Sequence, residues 1–234
     1  MIDKCVHHEA LVRELKMFAQ QLGFDLVGIT AVGEPATYRH YEAWLDAGFA
    51  AEMVYMVRTR DVRRNPQLLF MNAKSMIIVG MSYAGVDALL HQRTAVGEES
   101  KALCGRVARY ACMRDYHDVL RNGLQRLLRW LRTEVPDING RICVDSAPIL
   151  ERDFATRAGL GWVGKNTNVI NRKLGSYFVI GELIVDVELP SDIASNQTYC
   201  GKCMQCIEAC PTGALVAPFT LDARKCISYL TIEH

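Results

Sequence analysis

The sequence predicts an α+β protein in which a layered α/β domain, residues 1–188, precedes a small cysteine-rich module, residues 189–234. Two observations support this division. Segments with helical spacing of apolar residues alternate with short apolar segments typical of strands as far as about residue 188. Beyond that point the polar stretch 189–197 replaces the apolar pattern and predicts a linker, and closely spaced cysteines follow it.

The first half of the α/β domain contains four predicted elements and a loop. Apolar side chains three and four positions apart predict an amphipathic helix over 7–23, which ends at a glycine. The short apolar segment 24–30 predicts a strand, and helical spacing returns over 38–48. The basic stretch 60–66 predicts a loop closed by a proline. A fully apolar run over 75–83 predicts a buried strand.

The second half of the domain repeats this alternation. The polar stretch 85–105 predicts a surface excursion, and the regularly spaced leucines of 116–131 predict a long helix. Residues 141–145 predict a strand that carries Asp145 at its end. The remaining predicted elements are a helix over 150–158, a glycine-rich loop over 159–166 and a strand over 177–186.

Composition limits the classes of partner. The formal net charge is +1, which gives no bulk attraction to nucleic acid or membrane. No apolar run approaches the roughly 20 residues that span a bilayer, and the first ten residues lack the apolar region of a secretory signal. We therefore expect a cytoplasmic protein without a membrane partner. In a reducing cytosol the nine cysteines favour metal ligation over disulfides.

The run C-G-K-C-M-Q-C-I-E-A-C-P has the spacing of a bacterial ferredoxin. In that arrangement Cys200, Cys203 and Cys206 bind one [4Fe–4S] cluster, and Cys210 binds a different one. A zinc site is the alternative, but it pairs two C-x2-C units a dozen or more residues apart. Unligated thiols are a further alternative. The spacing favours an iron–sulfur module.

Counting ligands predicts that the cluster set is incomplete. Cys226 lies beyond the ferredoxin run and adds a fifth sulfur, whereas two clusters need eight ligands. The other cysteines lack this spacing, and free cysteines are usually small buried apolar residues. We therefore expect the N-terminal part of a longer protein, inactive by itself. The cysteines left outside the cluster set are Cys5, Cys104, Cys112 and Cys143.

The segment around Asp145 is the second chemically dense stretch. It places a carboxyl group at the end of a strand, followed by arginines and a glycine-rich loop. Such a carboxyl group can serve as a proton donor beside a cofactor. Alternatively, Asp145 and Ser146 cap the helix that follows. The glycines would let the backbone approach a flat or bulky ligand, with Lys165 and Asn166 facing it. The loop matches no phosphate-binding motif.

Several motifs together resemble the epoxyqueuosine reductase family. These motifs occur in the family's order and cover essentially the whole chain. They are R-R-N-P-Q-L-L, D-Y-H-D-V-L, V-D-S-A-P-I-L-E-R, A-G-L-G-W-V-G-K-N-T, C-G-K-C-M-Q-C-I-E-A-C-P-T-G-A-L and L-D-A-R-K-C-I-S-Y-L-T. The family is a cobalamin-dependent iron–sulfur enzyme that completes queuosine at the tRNA wobble position.

The resemblance implies a reaction and a site. Epoxyqueuosine in tRNA would be reduced to queuosine, with two [4Fe–4S] clusters passing electrons to cobalamin. Asp145 matches the general acid of the family and would also contact cobalamin. The cysteines that match cluster ligands are Cys200, Cys203, Cys206, Cys210 and Cys226. The residues that match positions lining cobalamin are Arg63, Lys165, Asn166, Val169 and Ser228.

The resemblance also implies partners and leaves alternatives. We expect a flavodoxin or ferredoxin as electron donor, and a monomeric protein. Met113 stands where relatives have glycine, so the backbone there would be strained if it required a positive φ. His117 is expected to contact backbone or solvent at a helix start rather than tRNA. A ferredoxin-type electron carrier, or another corrinoid reductase such as a dehalogenase, is the alternative function.

Overall fold

The computed structural model describes residues 2–85, 107–194 and 197–233, with side chains from residue 8 onward. The helices described are Ile2–Gln21 (α1), Tyr38–Asp46 (α2), Val54–Arg58 (α3), Arg60–Arg64 (α4), Tyr116–Glu134 (α5), Glu151–Arg157 (α6), Gln205–Glu208 (α7) and Ile227–Ile232 (α8). The strands described are Leu26–Ala31 (β1), Ser75–Ser82 (β2), Gly140–Cys143 (β3), Trp162–Val163 (β4), Val169–Ile170 (β5), Phe178–Val185 (β6), Leu215–Ala217 (β7) and Thr220–Leu221 (β8). Short 3-10 helices cover Pro66–Leu68, Arg109–Cys112 and Ala223–Lys225.

An antiparallel sheet of four strands, in the order β1-β2-β6-β3, organises the larger part of the chain. Strands β2 and β6 occupy its centre and pair along their whole length, from Ser75 opposite Val185 to Ser82 opposite Phe178. Their residues are mostly buried on both faces. This explains why both strands read as nearly continuous apolar runs in the sequence.

Helices cover both faces of this sheet and form two cores. On one face, α1 and α5 pack against alternate strand residues such as Ile77, Val79 and Leu183. On the other face, Phe154 and neighbouring residues of α6 pack against the strand residues whose side chains point to that face. Because neighbouring strand residues point to opposite faces, each strand contributes to both cores.

The predicted elements on described residues are confirmed in type, with three corrections. The glycine-rich loop predicted over 159–166 contains strand β4. The stretch 60–66 was predicted as a loop, but it contains α4 and the start of a 3-10 helix. Strand β3 ends at Cys143, so Asp145 lies two residues beyond the strand. Most of the predicted excursion 85–105 lies outside the described residues.

The stretch 189–194 is not a free linker. Leu189 is buried, and its N–H donates to Ser75 Oγ over 2.9 Å. Asp192 and Ile29 of β1 exchange two hydrogen bonds of 2.8 Å, and Lys16 forms an ion pair with the same carboxylate. The polar residues that predicted a linker therefore attach this segment to the edge of the sheet.

The fold also bears on the expected strain at Met113 and on the expected burial of the cysteines outside the cluster set. Met113 has φ −113°, so methionine carries no strain at that position. Cys143 is buried as expected, whereas Cys112 is exposed, contrary to expectation, and the side chains of Cys5 and Cys104 lie outside the described part of the chain. Among the helices that the structure describes, none has the length and apolar character needed to cross a bilayer.

Candidate functional site

Asp145 lies on a turn that presents its carboxyl group to solvent. Its backbone adopts φ +56°, a left-handed conformation that aspartate tolerates better than most residues. The turn is tight, since the N–H of Ser146 donates to the carbonyl of Val144 over 2.6 Å. The Asp145 side chain is 61% exposed. The carboxyl group is therefore accessible to a substrate.

His117 holds the Asp145 carboxyl group from the side of α5. Its Nε2 lies 3.3 Å from Asp145 Oδ2, and its Nδ1 lies 2.7 Å from Asp115 Oδ1. Asp115 caps α5 and also accepts the N–H of His117 over 2.9 Å, which fixes the ring. Burial lowers the pKa of His117, but bonds to the two carboxyl groups outweigh it and raise the pKa overall. The expectation that His117 contacts backbone or solvent missed this carboxylate contact.

The alternative role for Asp145, as a helix cap, is wrong. The residue at the start of α6 is Leu150, and no side chain in the described part of the chain caps this helix. Ser146 Oγ bonds instead to the carbonyl of Val144 over 3.4 Å. Asp145 and Ser146 thus belong to a turn that ends before the helix begins.

Glu151, the first residue of α6, lies next to the same turn. Its carboxylate accepts the backbone N–H of Asp145. Burial first, and the charge of Asp145 second, raise the pKa of Glu151 to about 7. A carboxyl group with a pKa near neutrality, next to an exposed carboxyl group, is an arrangement typical of functional sites.

Arg63 supports this turn from α4. It is buried, and its guanidinium donates to the carbonyl of Ile149 over 3.0 Å and to Thr59 Oγ1 over 3.2 Å. It also lies 5.9 Å from the ring centroid of Tyr41. Arg63 was predicted to line cobalamin, and in this structure its donors bind the protein's own loop.

The glycine-rich loop is explained by packing. Strands β4 and β5 form a hairpin, and a Cβ on Gly161 would lie 2.2 Å from the carbonyl oxygen of Ile170. A Cβ on Gly164 would lie 2.4 Å from the side chain of Ile170. The Val169 side chain points into the core, and Asn166 Oδ1 accepts the N–H of Asn168 over 3.2 Å. The glycines therefore serve the hairpin rather than an open ligand surface.

Lys165, at the tip of this hairpin, contacts the cysteine run. Its ammonium group donates to the carbonyls of Gly201 over 2.8 Å and Cys203 over 2.9 Å, and it lies 3.5 Å from Met204 Sδ. Its own carbonyl accepts the N–H of Phe219 over 3.0 Å. An ammonium group has three donors, and all three point at the cysteine loop. Lys165 thereby joins the α/β domain to the module.

The first three cysteines lie on one compact turn followed by a short helix. The N–H of Cys203 donates to the carbonyl of Cys200 over 2.8 Å, and Gly201 between them has φ +43°. Cys206 is the second residue of α7. The three cysteines therefore lie within seven residues on a turn and the first residues of a helix, in the spacing that ferredoxins use to bind one cluster.

Cys210 lies in a separate environment at the end of this turn. Hydrogen bonding from the backbone of Leu215, assisted by Thr212 and Ala214, lowers the pKa of the thiol to about 7 against the opposing effect of burial. Cluster ligands are thiolates, and backbone N–H groups directed at sulfur stabilise that form. Cys226 directly precedes α8, whose exposed second residue is Ser228.

These cysteines fit iron–sulfur clusters better than a single metal ion. Among the side chains that the structure describes, no group of three or more His, Cys, Asp or Glu residues is gathered around one point. A single zinc ion requires such a group. In a [4Fe–4S] cluster each thiolate binds a different iron, so the sulfurs lie farther apart. The donor set and the amide-supported thiol of Cys210 agree with the cluster.

The fit to cobalamin is weaker. One cavity of about 370 Å³ is lined by Glu34, Asp61, Arg64, Asn65 and Leu68. A second, of about 40 Å³, lies beside the tyrosines at the start of α5. Neither cavity contains a residue predicted to line cobalamin. The charged groups of Arg63 and Lys165 are engaged in protein contacts.

Sequence reasoning missed two residues beside Asp145. Glu151 follows Asp145 by six positions, and Glu182 is fully buried in β6. The signal for Glu182 was present in the sequence, since it is the one carboxylate within the apolar run 177–185. A buried carboxyl group of this kind is costly, and its presence indicates a special role.

Two family models match the chain. The model described as Epoxyqueuosine reductase QueG, DUF1730, matches residues 63–146. The model described as a 4Fe-4S double cluster binding domain matches residues 199–234. Together with the geometry above, these matches define an iron–sulfur protein in which a mixed α/β domain carries a [4Fe–4S] module.

Curated relatives identify the family. An epoxyqueuosine reductase from Pseudomonas aeruginosa is 44% identical over 96% of this chain and 61% of the relative. One from Leadbetterella byssophila is 41% identical over 94% of this chain and 69% of the relative. The chain belongs to the epoxyqueuosine reductase family. It spans about three fifths of the length of the first of these relatives.

Solved structures agree with this assignment. A crystal structure of epoxyqueuosine reductase with an epoxyqueuosine-modified tRNA-Tyr stem loop has 28% identity and a TM-score of 0.80, covering 96% of this chain and 58% of that one. A reductive dehalogenase has 14% identity and a TM-score of 0.55, covering 92% of this chain and 28% of that one. The dehalogenase likeness shows a shared fold alone.

Proposed function

We propose that this protein reduces epoxyqueuosine to queuosine in tRNA as part of a cobalamin-dependent, iron–sulfur reductase. The observation that carries the proposal is Asp145, an exposed carboxyl group on a left-handed turn held by His117 and Glu151. Family membership gives this arrangement a chemical meaning. Removal of an epoxide oxygen requires a proton donor, and an accessible carboxyl group supplies one.

In this proposal Asp145 protonates the departing epoxide oxygen. His117 lies 3.3 Å from the Asp145 carboxyl group and stabilises the carboxylate that remains. The backbone N–H of Asp145 is held by Glu151, and the carbonyl of Ile149 by Arg63, so the turn is fixed on both sides. These contacts orient the proton donor.

The cofactors of the proposal are two [4Fe–4S] clusters and cobalamin. Cys200, Cys203 and Cys206 would hold the first cluster, and Cys210 with Cys226 would hold part of the second. Cobalamin would supply the strongly reducing centre. Its assignment comes from the family resemblance, by which Asp145 and five other residues would lie beside it. Those residues are Arg63, Lys165, Asn166, Val169 and Ser228.

The proposed partners follow from the reaction. The substrate is a tRNA that bears epoxyqueuosine, and the crystal structure of a relative with such a stem loop supports this choice. The electron donor is a flavodoxin or ferredoxin, and the protein acts as a monomer in the cytoplasm. We also propose that the boundary between the α/β domain and the module lies at residues 188 and 189, although 189–194 is attached to β1.

The test uses the full-length gene product, reconstituted anaerobically with iron and sulfide and supplied with cobalamin. Nucleoside mass spectrometry measures conversion of epoxyqueuosine in tRNA. We expect Asp145→Asn to lose activity by at least about a hundredfold, with unchanged cluster spectra. Asp137→Asn is the matched control, because Asp137 is an exposed aspartate that also has a positive φ, +67°.

Two results would refute the proposal. Retained turnover in Asp145→Asn would remove the acid role. Failure of the reconstituted protein to bind cobalamin would instead favour the alternative of a ferredoxin-type electron carrier.

A further inference from the structure

Glu182 is a fully buried carboxyl group in the centre of the sheet. Both of its carboxyl oxygens lack a hydrogen-bond partner among the described residues. In the sheet it lies opposite Cys143 of β3 and Ile78 of β2, so these side chains share the face covered by α6. Burying an unpaired polar group is costly, and native proteins rarely keep one without a reason.

Glu151 lies on the same face and connects Glu182 with the surface. One of its carboxyl oxygens, Oε1, is buried without a partner among the described residues, while the carboxylate accepts the N–H of Asp145. Glu182 interacts electrostatically with both Glu151 and Asp145. Glu182 lies opposite Cys143 in the sheet, Asp145 follows Cys143 by two residues, and Glu151 begins the helix that covers this face. Glu182 is fully buried, Glu151 is partly buried and Asp145 is exposed.

Burial favours the protonated form of the two inner groups. It raises the pKa of Glu182 well above its ordinary value, and the charges of Glu151 and Asp145 add to this effect. The pKa of Glu151 is raised to about 7 for the same two reasons, burial first and the charge of Asp145 second. The other titratable and charged groups around this set are Arg141 and Cys143 of β3, Tyr116 and His117 of α5, Arg63 of α4 and Arg152 of α6.

The proposed reaction needs more protons than Asp145 holds. Converting an epoxide into an alkene and water consumes two electrons and two protons. The electrons come from a low-potential one-electron donor through the clusters, as in the proposed function on which this inference rests. A single carboxyl group delivers one proton at a time, so a second proton must reach Asp145 during each turnover.

We propose that Glu151 and Glu182 form a proton store that returns a proton to Asp145 after Asp145 has protonated the departing oxygen. The O–H bond of the Glu151 carboxyl group breaks, and a new O–H bond forms on the Asp145 carboxylate. Glu182 or solvent then returns a proton to Glu151. No electrons move in this transfer. Both glutamates act through Asp145, so they are positioning and proton-supplying residues.

Infrared spectroscopy and turnover of the full-length protein test the store separately. We expect wild-type protein at neutral pH to show the carbonyl band of a protonated carboxylic acid, and Glu182→Gln to lose part of it. We expect the turnover of Glu182→Gln to be lower than that of the wild type by a factor between about ten and about a hundred. Glu151→Gln should give a similar loss and should remove the decline in wild-type activity as pH rises through about 7. Glu188→Gln, at an exposed glutamate three residues beyond β6, is the control.

The outcomes separate this inference from the function on which it rests. An unchanged infrared band in both variants would overturn the store, and so would wild-type turnover in both. Wild-type protein that fails to convert epoxyqueuosine would overturn the proposed function, while the infrared measurement would still decide whether the glutamates hold protons. Circular dichroism of each variant shows whether it folds. If one of Glu151→Gln and Glu182→Gln fails to fold, the other variant tests the store.

Discussion

Replacing Glu182 with methionine should make the protein more stable. The carboxyl group is fully buried, and neither oxygen has a hydrogen-bond partner in the described part of the chain. Leaving such a group unpaired costs about 1–3 kcal/mol in proteins. Methionine has a similar length, carries no group that requires a hydrogen bond, and adapts to irregular space in a core.

The stability gain should depend on pH in a defined direction. The pKa of Glu182 is higher in the folded protein than its ordinary value of 4.5, mainly because of burial. Its contribution to stability is therefore fully present below pH 4.5 and is lost as pH rises towards the folded pKa. We expect the advantage of Glu182→Met to grow by about 1.4 kcal/mol per pH unit in that window.

Urea denaturation followed by circular dichroism, repeated across this pH range, measures the difference in free energy of unfolding. Glu188→Met, at an exposed position, should change it by less than about 0.5 kcal/mol. A Glu182→Met variant that is less stable than wild type at neutral pH would refute the reasoning. So would an advantage that does not change with pH. The first result would mean that the carboxyl group is favourable in the fold, and the second that its pKa is the same in the folded and unfolded protein.

Three further predictions address packing and the module. Gly28→Ala should destabilise the protein by about 1–3 kcal/mol, because the new Cβ would lie 2.1 Å from the carbonyl oxygen of Ala158. Thermal melting measures the loss. Gly33→Ala is the control and should melt like the wild type, because its Cβ would meet no described atom within 4 Å. Leu124→Ala should cost about 2–5 kcal/mol in denaturant titration, since Leu124 is fully buried against the sheet; a smaller loss would contradict its place in the core. Lys165→Met should lower the iron retained after anaerobic desalting, because the bonds to Gly201 and Cys203 are lost; equal iron in this variant and in the exposed-lysine control Lys173→Met would argue against that role.

The fold was predictable where a segment repeats one pattern for long enough. The apolar run 75–83 became β2, and the leucines of 116–131 became α5 with one more turn. Helix α4 was missed because five residues, mostly charged, show no period. Tertiary contacts stabilise it instead: Arg64 pairs with Glu34 over 3.4 Å and lies over the ring of Tyr38.

The site was predictable in its residue types but less so in its contacts. The sequence indicated Asp145 and the cysteine run, because each follows a recognisable local pattern. It could not place His117 against Asp145, since that contact joins segments 28 residues apart. The neighbourhood of Glu182 depends on strand register, which sets Cys143 opposite it. Lys165 was expected beside a cofactor, and only the folded chain brings it to Gly201 and Cys203.

The attachment of 189–194 to β1 has a mechanical consequence. A hinge between two domains needs a segment free of tertiary bonds, and here Leu189 and Asp192 are both bonded to the sheet. Each hydrogen bond that would have to break adds about 0.5–1.5 kcal/mol to the cost of a swinging motion. Two further bonds resist the same motion. Lys165 donates to the carbonyl of Gly201, and Trp44 donates to the carbonyl of Leu221 over 2.6 Å. In the proposed reaction, electrons that enter the module would therefore cross a gap of fixed width.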